Sequence, residues 1–256
     1  DLREQFPEIF KETIRINTLD YELYRDMQQK IIDVLDTAEY VEITGKGENQ
    51  TNMQVQLAAI SNPEKQTKFE NCVADVNIPL GEVFTSPKLA GTNGILNVGT
   101  VYIGDIQYRN LRMEFKDGRV VSAICDNFVE NGVIDQEAGH RLIVQGIMNG
   151  HETLPLGEFA IGTNTTAYAM AEKFGILDRL PILIVEKMGP HFAVGDTCYS
   201  WSEDSPMYNP DGKEMIARDN EVSILRKEDV SKAYFGVHTD ITIPYKELER
   251  ISAVHT

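Results

Sequence analysis

The sequence of 256 residues has few cysteines, and they are far apart. Cys72, Cys125 and Cys198 form no Cys-x-x-Cys pair, which excludes a cysteine zinc knuckle. Their odd number and wide spacing also argue against a disulfide framework. We therefore expect the protein to work in a reducing compartment, and the cytoplasm is the natural expectation.

Long apolar runs are also absent. Leu183, Ile184 and Val185 form an apolar stretch, but Pro181 and Glu186 bound it. A membrane-spanning helix needs ~20 apolar residues. The sequence therefore predicts no association with a membrane.

Positive charge is scarce: the sequence has 24 Lys and Arg residues but 40 Asp and Glu residues, which gives a net charge of −16. Such a surface repels phosphate backbones and disfavours nucleic-acid binding. It could attract cationic ligands such as the amino termini of peptides.

Several common catalytic motifs are missing. There is no Walker loop and no Gly-x-Gly-x-x-Gly sequence. His151-Glu152 resembles the start of a His-Glu-x-x-His zinc helix, but Pro155 stands where the second histidine belongs. His140 lies in a predicted helix, and we assign it a structural role.

The periodicity predicts an α+β fold with a mixed, mainly antiparallel sheet and flanking helices. Residues 1–38 are predicted to form a helical segment. It contains a helix at residues 20–36, in which Leu23, Met27, Ile31 and Leu35 repeat on one face after an N-cap at Asp20. Alternation predicts a hairpin of two strands, and Asp117-Gly118 supplies a tight turn for another. The predicted elements are strands 40–44 and 51–57, a hairpin around residues 111–121, a helix at 135–148, and strands near 156–161, 181–186 and 234–243.

The clearest chemical feature is the pair His238 and Asp240. Residues two apart in a strand point to the same face, so the two side chains would project together while Ile241 and Ile243 face the other way. An imidazole beside a carboxylate can bind a divalent metal. The pair is common, however, and a purely structural role is the alternative.

Two carboxylates lie in segments typical of strands. Glu158 is the lone charge in an apolar stretch, and Glu82 lies in a β-prone stretch between prolines. A buried carboxylate needs compensation by a basic side chain, a metal or solvent at a strand end. His191 follows the predicted strand that ends near Val185 and lies among glycines, where it could be a ligand, a capping residue or a core residue.

Four fragments, taken in order, resemble the aminopeptidase T / aminopeptidase S family of metallopeptidases. The resemblance runs from about residue 40 to the end of the chain. The fragments are Asn77-Ile-Pro-Leu-Gly-Glu-Val-Phe-Thr-Ser-Pro87, Leu156-Gly-Glu-Phe-Ala160, His191-Phe-Ala-Val-Gly195 and His238-Thr-Asp240.

The resemblance implies two divalent metal ions, zinc, cobalt or manganese, held by two Glu, two His, one Asp and one Tyr. Carried over motif by motif, the ligands are Glu82, Glu158, His191, His238 and Asp240. For the sixth position, Cys198 has the family spacing after His191 but Tyr199 has the family chemistry, and we favour Tyr199. Glu82, Glu158 and Tyr199 are the expected catalytic residues. The general base is left open between Glu186 and a ligand glutamate.

The implied activity is removal of N-terminal amino acids from peptides that have a free amino terminus, through water activated by two metals. Residues 1–256 would form the catalytic domain, and the α/β domain that precedes it in the family is not visible in this sequence. The family also implies a homodimer.

Two other functions are weighed against this one. A mononuclear iron oxygenase could use His238, Asp240 and another histidine such as His255, but it leaves Glu82 and Glu158 unexplained. A non-enzymatic β-rich binding module predicts that both glutamates lie far from the histidines, in ordinary salt bridges.

Overall fold

The computed structural model describes residues 2–74 and 78–255, and its fold is α+β. The α-helices are α1 Leu2–Ile16, α2 Tyr21–Leu35, α3 Gln136–Gly146, α4 Thr165–Phe174 and α5 Ile182–Val185. Short 3-10 helices span Glu186–Met188, Ser223–Lys227, Val230–Lys232 and Tyr245–Glu247.

The strands are β1 Tyr40–Gly45, β2 Asn52–Gln56, β3 Gln66–Thr67, β4 Glu70–Cys72, β5 Glu82–Thr85, β6 Lys88–Ile103, β7 Ile106–Lys116, β8 Arg119–Ile124, β9 Val129–Glu130, β10 Val133–Ile134, β11 Leu156–Gly162, β12 Pro190–Gly195, β13 Glu214–Met215, β14 His238–Thr242 and β15 Leu248–Val254.

The first large sheet has six strands in the order β15-β1-β2-β6-β7-β8, and all neighbours are antiparallel. The hairpins predicted at β1–β2 and β7–β8 are confirmed. Asp117 and Gly118 have φ of 44° and 66°, as the tight turn between β7 and β8 requires. Along β7, buried Leu111, Met113 and Phe115 alternate with more exposed residues, so this sheet packs one face on the core.

The second large sheet has five strands in the order β14-β12-β11-β5-β4, again antiparallel throughout. Every residue of β5, β11 and β12 is buried. One face of this sheet contributes Phe159, Phe192 and Ile241 to the core shared with the first sheet. The opposite face carries the polar groups described below.

The predicted helix at 20–36 corresponds to α2, and Asp20 caps it by accepting a hydrogen bond from the backbone N–H of Leu23. The helix predicted at 135–148 corresponds to α3. The strand predicted at 181–186 is wrong, because this segment forms α5 and a 3-10 helix. A short apolar run does not distinguish a strand from a helix, and Pro181 favours a helical start here.

Further differences concern the strands. His191 lies within β12 and does not follow a strand end. The last predicted strand, 234–243, is shorter than expected, since β14 spans only His238–Thr242. The long strand β6, which pairs with β2 and β7, and strand β15, which pairs with β1, were not predicted from the sequence. Within the described part of the chain, no helix has the length and apolarity needed to cross a bilayer.

Candidate metal centre

Strand alternation gathers the predicted ligands on one face of the second sheet. Glu82 begins β5, Glu158 lies in β11, His191 lies in β12, and His238 and Asp240 lie in β14. Their sequence neighbours point into the shared core, and these neighbours include Val83, Phe159, Phe192 and Ile241. The two-residue period of a strand therefore puts the apolar side chains on one face and the ionisable ones on the other.

Small residues separate the ionisable ones across the sheet. Ala193 lies between Glu158 and Asp240 in the register of β11, β12 and β14. Ala160 is opposite His191, and Gly162 is opposite Glu82. Because these residues have a methyl group or no side chain, they leave room above the sheet for the longer side chains to converge.

The side chains do converge. His191 Nε2 lies 3.3 Å from Glu82 Oε2 and 3.8 Å from Glu158 Oε1. His238 Nε2 lies 3.0 Å from Glu158 Oε2 and 3.6 Å from Asp240 Oδ1. Five residues predicted from separate sequence fragments thus form one cluster, with Glu158 between the two imidazoles.

Both imidazoles are oriented by backbone carbonyls. His191 Nδ1 donates to Gly189 O at 3.3 Å, and His238 Nδ1 donates to Asp196 O at 2.7 Å, because a carbonyl only accepts. In a neutral ring this leaves the lone pair of Nε2 facing carboxylate oxygens. A proton or a metal cation must then lie between them. Histidines that bind metals are typically held in this way.

The electrostatics of the cluster agree with that geometry. Burial lowers the pKa of His191 and His238, but the hydrogen bonds and charges of Glu82 and Glu158 outweigh it and raise each pKa to about 10. Burial and the charge of Glu158 raise the pKa of Asp240 to about 7. In the metal-free site, protons take the place of cations.

The donor set fits divalent metal ions. Two groups of three residues each bring ligand atoms within 4.8 Å of one another: Glu82, Glu158 and His191, and Glu158, Cys198 and His238. Both groups contain Glu158. Asp240 Oδ1 is buried and has no hydrogen-bond partner among the described residues. Imidazole and carboxylate ligands suit zinc and related ions, and a cation would satisfy the Asp240 oxygen.

Lys187 was not predicted from the sequence as part of the site. This lysine is fully buried and donates hydrogen bonds to Glu82 Oε1 and, at 2.6 Å, to Glu186 Oε1. Burial lowers the pKa of Lys187, but the charges of Glu82 and Glu186 outweigh it and raise the pKa. For Glu82 burial acts in the opposite direction and raises the pKa of the carboxyl. The hydrogen bonds and charges of His191 and Lys187 outweigh burial and lower this pKa to about 2. The only sequence signal was a lysine beside Glu186, two residues before Gly189 and three before the start of β12.

Tyr199 and Cys198 point to different groups. The buried Tyr199 hydroxyl donates to Glu70 Oε2, and its ring packs against Phe84 with centroids 5.8 Å apart. Cys198 Sγ lies 4.0 Å from His238 Nε2. Tyr199 was predicted for the sixth ligand position, but the neighbouring Cys198 is the residue whose side chain faces the cluster.

A cavity of about 500 Å³ opens above the cluster. The cavity is lined by the ionisable side chains and also by apolar ones, among them Phe84, Leu183 and Met207. The His238 side chain is 30 % exposed, so the cluster is reached from solvent at that side. The segment between β12 and β14 contributes Thr197, Tyr199 and Ser202 to the wall.

Two expectations of the alternative functions fail. His255 does not line the cavity. It directly follows β15 in the first sheet, and its Nδ1 donates a hydrogen bond to Thr37 O. The binding-module alternative predicted that Glu82 and Glu158 lie far from both histidines, whereas the separations are 3.0–3.8 Å.

Comparison with known proteins gives a family match and a fold match. Residues 8–209 match the profile of a family described as thermophilic metalloprotease (M29). This range contains Glu82, Glu158, His191 and the Cys198-Tyr199 pair, and it ends before His238 and Asp240. No curated protein matches the chain in sequence.

One solved structure is similar in fold, and a second aligns less closely. Wild-type AmpT from Thermus thermophilus aligns with a TM-score of 0.52 and 17 % identity, over 88 % of this chain and 48 % of that chain. A 2,5-dihydroxypyridine dioxygenase from Pseudomonas putida KT2440 aligns with a TM-score of 0.48 and 14 % identity, over 93 % of this chain and 57 % of that one. The chain thus spans about half the length of these structures.

Proposed function

Because the chain belongs to the thermophilic metalloprotease (M29) family, we propose that it is a metal-dependent aminopeptidase that uses two divalent ions to remove N-terminal residues from peptides. In this proposal residues 1–256 act as the catalytic domain. The observation that carries the proposal is the pair of three-residue ligand groups that share Glu158.

The proposed ligands divide between two subsites. Glu82, Glu158 and His191 would hold one cation. Glu158 and His238 would hold the other, together with Asp240, whose Oδ1 lies 3.6 Å from His238 Nε2. Zinc, cobalt and manganese all accept such ligands. When bound, a pair of divalent ions supplies Lewis acidity, which lowers the pKa of bound water and polarises the scissile carbonyl.

The charges of the site favour this assignment. Glu82, Glu158 and Asp240 contribute three negative charges, and Lys187 and Glu186 add a neutral pair. Two divalent cations and one hydroxide bring the sum to zero. A buried site tolerates a neutral assembly far better than bare carboxylates.

Proton transfer is proposed for Glu186. Its carboxylate is buried at the cavity wall, and burial together with the charge of Glu82 raises its pKa. A raised pKa brings a carboxylate closer to the range in which it exchanges protons at neutral pH. Lys187 holds Glu186 in place through the 2.6 Å hydrogen bond.

The preference for a free amino terminus, the cytoplasmic location and a homodimer rest on the family resemblance. The acidic cavity agrees with the first of these, because carboxylates attract the ammonium group of a peptide. Three free cysteines agree with the second. Tyr199 stays a predicted catalytic residue, where its hydroxyl could stabilise an oxyanion once released from Glu70.

The test is hydrolysis of aminoacyl chromogenic amides by the full chain, first with a chelator and then with added zinc or cobalt. Activity should vanish with the chelator and return with metal. N-acetylated amides should not be cleaved. Glu158→Gln should lower kcat/KM by about 10³-fold or more, because the shared ligand is lost. Glu152→Gln is the control, since that side chain is 80 % exposed. Full activity of Glu158→Gln would contradict the proposal.

A second candidate is a mononuclear iron oxygenase. Its support is the convergence of His191, His238 and Asp240, two imidazoles and one carboxylate, on adjacent strands. This function gives no role to Glu82. One iron per chain, consumption of dioxygen and no amide hydrolysis would favour it over the aminopeptidase.

A further inference from the structure

Cys198 lies beside the second subsite and has no assigned role there. Its Sγ lies 4.0 Å from His238 Nε2 and, with the ligand atoms of His238 and Glu158, forms a group within 4.8 Å. Asp240, which has a buried oxygen without a hydrogen-bond partner among the described residues, borders the same group. Sulfur, nitrogen and oxygen donors therefore surround one point.

The neighbouring Tyr199 is engaged elsewhere. Its hydroxyl donates to the buried Glu70, and its ring belongs to an apolar cluster with Phe84 and Met215. To reach the metal cluster, the hydroxyl would have to leave Glu70 and the ring would have to leave Phe84. Cys198 needs no such change, because its side chain already faces Glu158 and His238.

We propose that Cys198 is a thiolate ligand of the second subsite, alongside Glu158, His238 and Asp240. This inference rests on the proposed two-metal function. On binding, the S–H bond breaks, the proton passes to solvent, and a sulfur lone pair forms the bond to the cation. No electron is transferred, so no oxidant or reductant is needed. With the thiolate, the four negative charges of the protein ligands are balanced by the two divalent cations alone.

The thiolate makes the two subsites chemically different. The first has only nitrogen and oxygen donors, whereas the second adds a soft sulfur donor. Soft donors favour zinc and cobalt over manganese and magnesium. The second subsite should therefore discriminate against manganese more strongly than the first.

Cobalt(II) titration of the full chain tests the assignment. A Co–thiolate bond gives a near-ultraviolet charge-transfer band that nitrogen and oxygen ligands do not give. The wild type should show this band together with the visible bands of cobalt. Cys198→Ser should lose the charge-transfer band, keep the visible bands, and bind one of two cobalt equivalents at least about 10-fold more weakly. Tyr199→Phe should keep the charge-transfer band.

The other two cysteines provide matched controls. Cys125 is buried in the main core, and Cys125→Ser should leave the band unchanged. Cys72 lines the same cavity, so Cys72→Ser separates the two thiols near the site. Loss of the band in Cys72→Ser, with retention in Cys198→Ser, would overturn the proposal.

Alkylation of the wild type avoids any dependence on variants that fold poorly. Zinc should slow modification of Cys198 by iodoacetamide, measured by peptide mapping, and unchanged modification would overturn the proposal. A wild type that binds two cobalt ions and cleaves aminoacyl amides without the sulfur band refutes only the thiolate. A wild type with neither metal binding nor hydrolysis refutes the proposed function as well.

Discussion

The two large sheets share one core but use their second faces differently. In the six-stranded sheet, the second half of β7 alternates buried and more exposed residues, as expected when one face is solvated. In the five-stranded sheet, β5, β11 and β12 are buried on both faces. The second face of that sheet faces the cavity and holds the ionisable cluster.

This difference separates stability from function. The first sheet contributes mainly apolar side chains to the core. The second places carboxylates and imidazoles where desolvation opposes their charge, and they are tolerated because protons, Lys187 or cations compensate them. Perturbing the first sheet should change the free energy of unfolding only, whereas perturbing the cavity face should change metal binding as well.

The largest expected effect comes from the buried lysine of the cavity face. Lys187→Met leaves Glu82 and Glu186 without their shared cation and should lower the free energy of unfolding of the metal-free protein by about 3–5 kcal/mol. Zinc should restore part of the loss. Urea unfolding with and without zinc measures both effects.

Lys68→Met is the matched control. This buried lysine has no carboxylate within ion-pair distance among the described residues, and donates to Ala38 O. Burial lowers its pKa despite the charge of Asp36. The change should cost about 1 kcal/mol, with no effect of zinc on the difference. Equal losses in the two variants would contradict the proposed role of Lys187.

An intermediate effect is expected from pH. A group whose pKa rises on folding stabilises the folded state fully below its unfolded pKa and loses that contribution as pH rises through the folded pKa. For His191 and His238 the window runs from ~6.5 to about 10. Metal-free stability should fall as pH rises across this window, because the folded state keeps protons that the unfolded state has lost.

Zinc should flatten this decline, because deprotonated imidazoles bind metal better. Urea unfolding at several pH values from 7 to 9.5 measures the slopes. His140→Gln, which removes a histidine of α3 outside the cavity, should keep the wild-type slope. A metal-free stability that is independent of pH in this range would be inconsistent with protonated imidazoles in the cluster.

The smallest expected effect belongs to the first sheet. Ile43→Val removes one buried methylene from β1 and should lower the free energy of unfolding by about 1 kcal/mol. Zinc affinity, measured by calorimetry, should stay unchanged because Ile43 packs in the shared core away from the cavity lining. A changed affinity would mean that the two faces are energetically coupled.

Local patterns predicted the first sheet better than the second. The β1–β2 and β7–β8 hairpins followed from alternation and from the positive-φ turn at Asp117-Gly118. In the second sheet, β12 was missed and α5 was taken for a strand, because strands buried on both faces lack polar alternation. Strand β15 was missed because its partner β1 lies about 200 residues earlier in the chain.

Some residues of the site were predictable from local motifs, whereas others were not. Glu82, Glu158, His191, His238 and Asp240 were predicted from their motifs, and the side chains converge. The contact of Lys187 with Glu82 joins residues 105 positions apart, and no local pattern encodes it. The opposite orientations of Cys198 and Tyr199 depend on Glu70 and His238, which are also distant in sequence.

The central claim is that two cation subsites share Glu158. Equilibrium dialysis against zinc, followed by elemental analysis, tests it most directly. The account predicts two zinc ions per chain in the wild type, one in Glu82→Gln and none held tightly in Glu158→Gln. A single zinc ion in the wild type, or two in Glu158→Gln, would contradict it.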